Sequence, residues 1–337
     1  ISLTQPIIDA NRWFQLKEKQ PRLRVAEANL ENSEQELARS LFEAVGAYVV
    51  ARETQALNRA TIDALQGELD SAEERYDRGV GTITDVYDTR LRVAQAKAES
   101  FANESALQAA RRQYAAIVGE PPLAGEYALN PVVEPIRLES IEDMLPRAVA
   151  ANPQLRSSRV AVELADLNRK RTWASYIPSV NARAQQSWYD GDSNSSSGVI
   201  LEIDVPLDAG QVFSGRTSEL EAVRARDQLR ATEQQVTLQV QQLHAAVMDA
   251  QARLETLQGA IEMAELSVEA TQRSFEGGLR TKIDLVNAIL ALDQARSDSV
   301  SALIDLGSSW LQLQLLIAVP VTDALGAVQA QLFGEPG

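Results

Sequence analysis

The chain states one motif twice, 199 residues apart. Tyr76-x-x-Gly79-x-x-Thr82-x-x-Asp85-Val86 returns as Phe275-x-x-Gly278-x-x-Thr281-x-x-Asp284-Leu285. The offset continues without a gap into the heptads on either side. One row runs through Leu16, Leu23, Leu30, Leu37, Ala44 and Ala51, interleaved with Leu41, Tyr48, Ile62 and Leu69. In the second half the same register reads Leu229, Val236, Leu243, Ala250, Leu257 and Ala264, interleaved with Val240, Val247, Leu254, Ile261 and Val268. A fold-sized internal repeat marks a building block that buries its apolar face against copies of itself. Apolar residues every 3.5 positions further demand a supercoiled partner helix.

Composition narrows what such a block can be. Only 5% of the 337 residues are aromatic, which suits long helices better than a broad globular core. The net charge of −15 argues against nucleic acid as a partner, since phosphate binding needs a basic face. With no cysteine and His244 as the one histidine, the chain has no disulfide, no thiolate nucleophile, no His-based triad and no Cys/His metal site. The paired Glu73 and Glu74 belong to a charged helix end with no acid–base constellation around them. No cofactor and no enzymatic activity are expected. No apolar run is long enough for a spanning helix, and no signal peptide is visible.

Between Ala10 and Tyr76 the one proline is Pro21, so a single helix of roughly 100 Å is expected there at 1.5 Å rise per residue. After each glycine turn a shorter return helix begins. Val86, Val93, Ser100, Leu107 and Tyr114 form one row, and Leu285, Leu292, Ser299, Leu306 and Leu313 form its copy. The first return helix stops at Gly119-Glu120-Pro121-Pro122. A further helix is expected from Ser140 to Tyr176, with Pro146 and Pro153 interrupting its first turns. Short helices stacked end to end would then match one long helix.

Residues 179–206 change period. Val180, Ala182, Ala184 and Trp188 alternate with Asn181, Arg183 and Ser187; Val199, Leu201, Ile203 and Val205 alternate with Ile200, Glu202 and Asp204. Period 2 predicts two strands of bilayer-crossing length, joined by the polar loop Asp190–Gly198. That loop lacks the sixth-position glycine and twelfth-position glutamate of a calcium loop. Trp188 and Tyr189 read equally as interfacial girdle residues or as loop anchors. The repeat predicts a matching hairpin before Asp9, of which Ile1 to Pro6 would be the tail, so a further stretch upstream is expected. Two strands per repeat make four per subunit. Four strands cannot close a barrel in lipid, and an open sheet edge there is forbidden. The subunit must therefore share a barrel with copies of itself; three copies give twelve strands.

These residues also resemble a family. The two turns, with Asn152-Pro153-x-Leu155, Ile177-Pro178 and Val205-Pro206-Leu207-Asp208-x-Gly210, are similar to those of TolC-like outer-membrane export ducts. The resemblance implies a mainly α fold with a small β part. Duplicated long coiled-coil helical hairpins form a periplasmic tunnel, and β-hairpins complete a shared 12-stranded transmembrane barrel in a homotrimer of the bacterial outer membrane. Its expected order is a remnant of the first barrel strand pair at 1–8, the first tunnel hairpin at 9–118, and an irregular equatorial connection at 119–140. A stacking helix at 141–177, the barrel β-hairpin at 178–207, the second tunnel hairpin at 208–318 and a C-terminal equatorial segment at 319–337 follow. The form Thr82-x-Thr84-Asp85-Val86 looks most like the type I secretion branch. That branch passes exported protein on from an inner-membrane ABC transporter and a periplasmic adaptor (membrane fusion) protein, with outer-membrane lipid around the barrel. The outer-membrane component of a multidrug efflux pump is the alternative. A soluble coiled-coil scaffold or periplasmic adaptor is the alternative of another class, against which the lipid-length strands argue.

The resemblance implies a gate at the periplasmic tip. Arg280 matches a gate arginine, Thr84 and Asp85 its partners on the other hairpin, and Asp284 an acidic constriction ring. Asn287 stands where a second acidic ring is expected, and Phe275 replaces a tyrosine. The turns bearing Gly79, Gly81, Gly277 and Gly278 are expected to meet the adaptor. From spacing alone, Asp85, Arg280 and Asp284 read as solvated charges at helix starts, and the glycines as helix caps.

Overall fold

In the computed structural model, residues 2–123, 126–130, 134–188, 195–205 and 210–333 are described. The elements run β1 (Ser2–Ile8), α1 (Ala10–Lys17), α2 (Lys19–Asp77), α3 (Ile83–Val118), α4 (Ile141–Ala151), α5 (Pro153–Ala174), β2 (Ser179–Trp188), β3 (Ser195–Asp204), α6 (Gly210–Glu276), α7 (Lys282–Leu316) and α8 (Val321–Phe333). The chain divides into two compact units. One comprises residues 1–33 and 145–239, the other 34–144 and 240–337.

The first unit holds the sheet. Its order is β1-β2-β3, antiparallel throughout. The register sets Ala182 opposite Leu201 and Ala184 opposite Val199, with Leu3 of β1 beside Ala184. Because facing residues of an antiparallel pair share a face, Val180, Ala182, Ala184, Val199, Leu201 and Ile203 form one apolar surface. Val199, Leu201 and Ile203 on it are exposed. The opposite face carries Asn181, Arg183 and Glu202, with Arg183 paired to Glu202 at 2.9 Å. Pro6 lies in β1 beside an irregularity in the pairing, a place where a missing N–H is tolerated. The polar loop expected at Asp190–Gly198 is shorter than that, since Ser195–Gly198 belong to β3 paired with β2; Tyr189 and 190–194 lie outside the described residues, as do 206–209 of the Val-Pro-Leu-Asp motif.

Around the sheet, α1 packs on α5. The long helix expected from Ala10 is interrupted once, at Glu18. This buried carboxylate receives Arg22 at 3.2 Å and Arg171 of α5 at 3.4 Å. The helix expected from Ser140 breaks at Asn152 and nowhere else. Asn152 caps α5 by accepting from the N–H groups of Gln154 and Leu155, and Pro153 takes the first helical position. Pro146, expected to interrupt, lies inside α4. The residue before a proline is pushed out of the helical region, and at Asn152 the capping side chain makes that displacement productive.

The second unit holds both glycine turns. Near them, Leu65, Val93, Ala96 and Val286 pack as a buried cluster with Ile62 and Leu69 against it. Farther along, Gly46 of α2 abuts Ile304 of α7, and Gly307 of α7 abuts Phe42 and Leu332 of α8. The seam of the first hairpin is partly polar. Gln55, Asn58 and Thr61 are buried, and Thr61 donates to the Asp293 carboxylate at 2.5 Å. The described part of the 119–140 connection is held by Arg52, which donates to the Glu126 and Tyr127 carbonyls at 2.6 and 2.9 Å. Burial and the Tyr114 hydroxyl, 3.0 Å away, push the Tyr127 phenol well above its usual range. The repeat persists at the ends of the return helices. Gly119 closes α3 with φ 95°, and Ala318, 199 residues later, closes α7 with φ 60°.

One expected seam is not buried within the chain. Leu16, Leu23, Leu30 and Leu37 are each 59 to 71% exposed, whereas Ala44 of the same row is fully buried.

Candidate functional site

The two turns have one construction. Val80 N–H donates to the Arg75 carbonyl at 3.0 Å and Gly79 N–H to that of Tyr76 at 2.9 Å; Leu279 donates to Ser274 at 2.8 Å and Gly278 to Phe275 at 2.9 Å. This double closure is the Schellman motif, which requires a left-handed residue. Gly79 and Gly278 supply it, at φ 75° and 72°. Gly81 is needed for a different reason. A Cβ there would lie 3.0 Å from the Arg75 Cβ and the Tyr76 nitrogen. Gly277 precedes its left-handed neighbour in the second turn.

Each following helix opens with a reciprocal cap. Thr82 accepts from Asp85 N–H at 3.2 Å, and Asp85 Oδ2 accepts from Thr82 N–H at 3.3 Å. Thr281 accepts from Asp284 N–H at 3.3 Å, and Asp284 Oδ2 accepts from the Thr281 N–H and hydroxyl at 3.0 and 2.8 Å. Both carboxylates therefore satisfy orphan helix-start donors. The Thr281 backbone N–H, then its hydroxyl, and then the Arg280 guanidinium hold the Asp284 carboxyl below the usual carboxylate range.

Within one chain, Arg280 lies 4.0 Å from Asp284, one turn ahead of it. Thr84 is exposed, Asp85 is half-buried in its cap, and Asn287 is exposed three residues past Asp284 on the same helical face. Thr84 and Asp85 have no contact with Arg280 among the described interactions. A different contact joins the two turns: the Arg75 guanidinium lies 5.4 Å over the Phe275 ring. The sequence reading missed Arg75, although Phe275 in place of tyrosine marked the position. It also missed Val80 and Leu279. These occupy equivalent places at the two apices and are 74 and 85% exposed. Their signal was present in the repeat, as an apolar residue following each left-handed glycine.

The sequence pattern that defines the family described as "Outer membrane efflux protein" matches residues 1–120 and 144–319. The chain belongs to this family. It is similar to the alkaline protease secretion protein AprF of Pseudomonas aeruginosa, 23% identical over 335 residues, covering 95% of this chain and 69% of that protein. It is also similar to the outer membrane efflux protein BepC of Brucella suis, 27% identical over 299 residues, covering 81% of this chain and 63% of the other. Among solved structures, the outer-membrane channel OprN superposes with a TM-score of 0.80 at 16% identity, covering 95% of this chain and 74% of that one. The mainly α fold of duplicated helical hairpins with a small β part is thus the fold of an outer-membrane channel-tunnel subunit. Membership places the protein in the outer membrane with its helices extending into the periplasm. The family is one of channels rather than enzymes. The soluble-scaffold alternative gives way to this assignment.

Proposed function

We propose that three copies of this chain assemble into a closed conduit that carries exported protein across the periplasm and outer membrane. The observation that carries the reading is the open sheet. The strands β2 and β3, of lipid-crossing length, present one apolar and one mainly polar face, and among the described residues the sheet ends at β1 and β3. Unpaired edges cannot remain in hydrocarbon, so the edges must pair with those of neighbours. The repeat calls for four strands per subunit, hence a 12-stranded barrel from three. The exposed leucine row on α1 and α2 is a second unsatisfied surface of the same kind. Native mass spectrometry in mild detergent is expected to give a trimer. A folded single molecule as the sole species would overturn the proposal.

The gate reading assigns Arg280 to Thr84 and Asp85 across hairpins, with Asp284 and Asn287 lining the narrowest ring. Three Asp284 carboxylates around one axis would repel one another and attract cations. At the apices, Val80 and Leu279 stand free on the turns formed by Gly79, Gly81, Gly277 and Gly278, and supply an apolar surface for a periplasmic adaptor that couples the duct to an inner-membrane ABC transporter. Secretion of protein is favoured by the Thr82-x-Thr84-Asp85-Val86 turn and by similarity to AprF along nearly the whole chain. Efflux of small molecules is the second reading, favoured by the similarity to BepC. Deleting the gene decides between them: loss of a secreted protein with unchanged drug sensitivity is expected, and the reverse pattern would select efflux.

A further inference from the structure

The positive charge of this acidic chain is concentrated where helices meet strands. Three short segments adjoin the sheet: residues 10–24 after β1, 168–178 before β2 and 210–218 after β3. Together they hold nine basic residues (Arg12, Lys17, Lys19, Arg22, Arg24, Arg169, Lys170, Arg171 and Arg216) and one carboxylate, Glu18, in a chain of net charge −15; of the nine, Arg12 pairs with Asp9 at 3.3 Å and Arg169 with Asp166 at 3.7 Å, just outside the segments. Three of the chain's five lysines are among them.

The segments form one surface. Arg171 reaches Glu18, tying α5 to the α1–α2 junction. Tyr176 and Trp173, themselves stacked with centroids 5.4 Å apart, lean on Gly215 of α6, where an added Cβ would lie 3.1 Å from the Tyr176 hydroxyl. Large apolar side chains stand out from the same surface. Trp13 is 52% exposed and Trp173 57%, with Ile177 and Phe213 also exposed. The Lys17 ammonium sits 3.7 Å over the Trp13 ring. Glu18 is already shared by Arg22 and Arg171, and Arg24 pairs with Glu163 at 2.6 Å. Among the described residues, no carboxylate pairs with Lys17, Lys19, Lys170 or Arg216.

We propose that this collar binds the anionic headgroups of the phospholipid leaflet into which the strands insert. The inference rests on the outer-membrane channel reading and deepens it. Helical rise places Arg12 to Lys19 about 5–15 Å beyond the end of β1. That spans the headgroup layer and lies within roughly one or two Debye lengths of it at physiological salt. Aromatic rings with exposed faces settle at this depth, and long basic side chains keep their heads among phosphates while their stems lie along apolar surface. Lysines without a carboxylate partner are the ones left to hold anionic lipid.

Electron paramagnetic resonance of spin-labelled lipids tests this with the detergent-purified protein reconstituted into phosphatidylcholine bilayers. Spin-labelled phosphatidylglycerol is compared with spin-labelled phosphatidylcholine. The native protein is expected to prefer the anionic label by about 3–10-fold, a preference that falls as salt is raised. The combined variant Lys17→Gln, Lys19→Gln, Lys170→Gln and Arg216→Gln is expected to lose the preference while keeping its oligomeric state. Lys97→Gln, on the exposed surface of α3, is expected to retain it. Equal association of both labels with the native protein would overturn the collar, as would a preference undiminished in the fourfold variant. Loss of oligomers in that variant with lipid preference intact would assign these side chains to contacts between copies instead. Failure of the native protein to enter any bilayer would overturn the channel reading together with the collar, whereas incorporation without preference removes the collar alone.

Discussion

Two glycines on the α2–α7 seam set how closely those helices approach, and the geometry gives the sign of replacing them. A Cβ at Gly46 would lie 2.5 Å from Ile304 Cγ2. One at Gly307 would lie 2.5 Å from Leu332 Cδ2 and 2.8 Å from Phe42 Cζ. Favourable carbon contacts lie near 3.5–4.0 Å, so something must move by about 1 Å. Ile304 is β-branched and held to one rotamer in a helix. Leu332 is fully buried and Phe42 nearly so, which leaves neither an empty place to turn into. Overpacking of this kind costs about 1–3 kcal/mol, while alanine gains about 1 kcal/mol over glycine inside a helix. The net expectation for Gly46→Ala or Gly307→Ala is a loss of about 0–2 kcal/mol. Gly326→Ala in α8, where nothing lies within 4 Å of the added carbon, should gain the full helix term. The Gly46–Ile304 and Gly307–Phe42 contacts are one turn apart on this seam, so moving α2 away from α7 once relieves both while the Gly307–Leu332 contact with α8 remains, and the double variant should cost less than the sum. Denaturant unfolding followed by helical circular dichroism in detergent measures the four variants and the native protein under one condition. If Gly46→Ala and Gly307→Ala are both as stabilised as Gly326→Ala, the close-approach argument is wrong.

Arg280→Ala and Asp85→Ala are each expected to raise the leak conductance of the protein in a planar bilayer; unchanged conductance in both would remove the proposed latch. The depressed Asp284 carboxyl gives the tip a pH dependence of definite sign. The cap is fully present above the unfolded carboxylate range, near 3.8, and is lost as pH falls through the lower folded value, so protection of the Thr281 amide, which donates to the Asp284 carboxylate, should be lost only at strongly acid pH. Thr281→Ala removes the hydroxyl partner and should move the Asp284 titration, followed by side-chain carbon NMR, back up toward that range. Ala318 adopts the left-handed conformation that Gly119 supplies in the first repeat. Ala318→Gly should therefore stabilise the end of α7 by about 1 kcal/mol, read as a raised denaturation midpoint; a lowered midpoint would show that its side chain contributes more than its backbone costs.

What could be read from the sequence was whatever repeats or whatever chemistry is local. The turns were legible because a left-handed glycine followed three residues later by a capping threonine is a local demand, and it occurs twice. The strands β2 and β3 were legible because alternation reports a two-faced surface. The strand pairing of β1 with β2 joins residues nearly 180 apart and leaves no local trace. The grip of Arg52 on the connection was equally hidden, since carbonyl acceptors have no sequence signature. Pro146 misled because a proline restricts only its own turn and the residue before it, and the cap that turns a restriction into a break was at Asn152. Gln55, Asn58 and Thr61 went unread as buried positions because polarity suggests solvent, while Thr61 in fact reaches Asp293. The leucine row shows most sharply where local reading ends. Heptad spacing states that Leu16, Leu23, Leu30 and Leu37 require a partner helix; it does not state whose. The fold of one chain leaves all four exposed while burying Ala44 of the same row. Fully burying a leucine contributes about 1.5–3 kcal/mol, so four left in water are a stabilisation one chain forgoes. Together with a sheet too small to close on itself among the described residues, they are the physical reason to look for the missing half of the interface in a second copy.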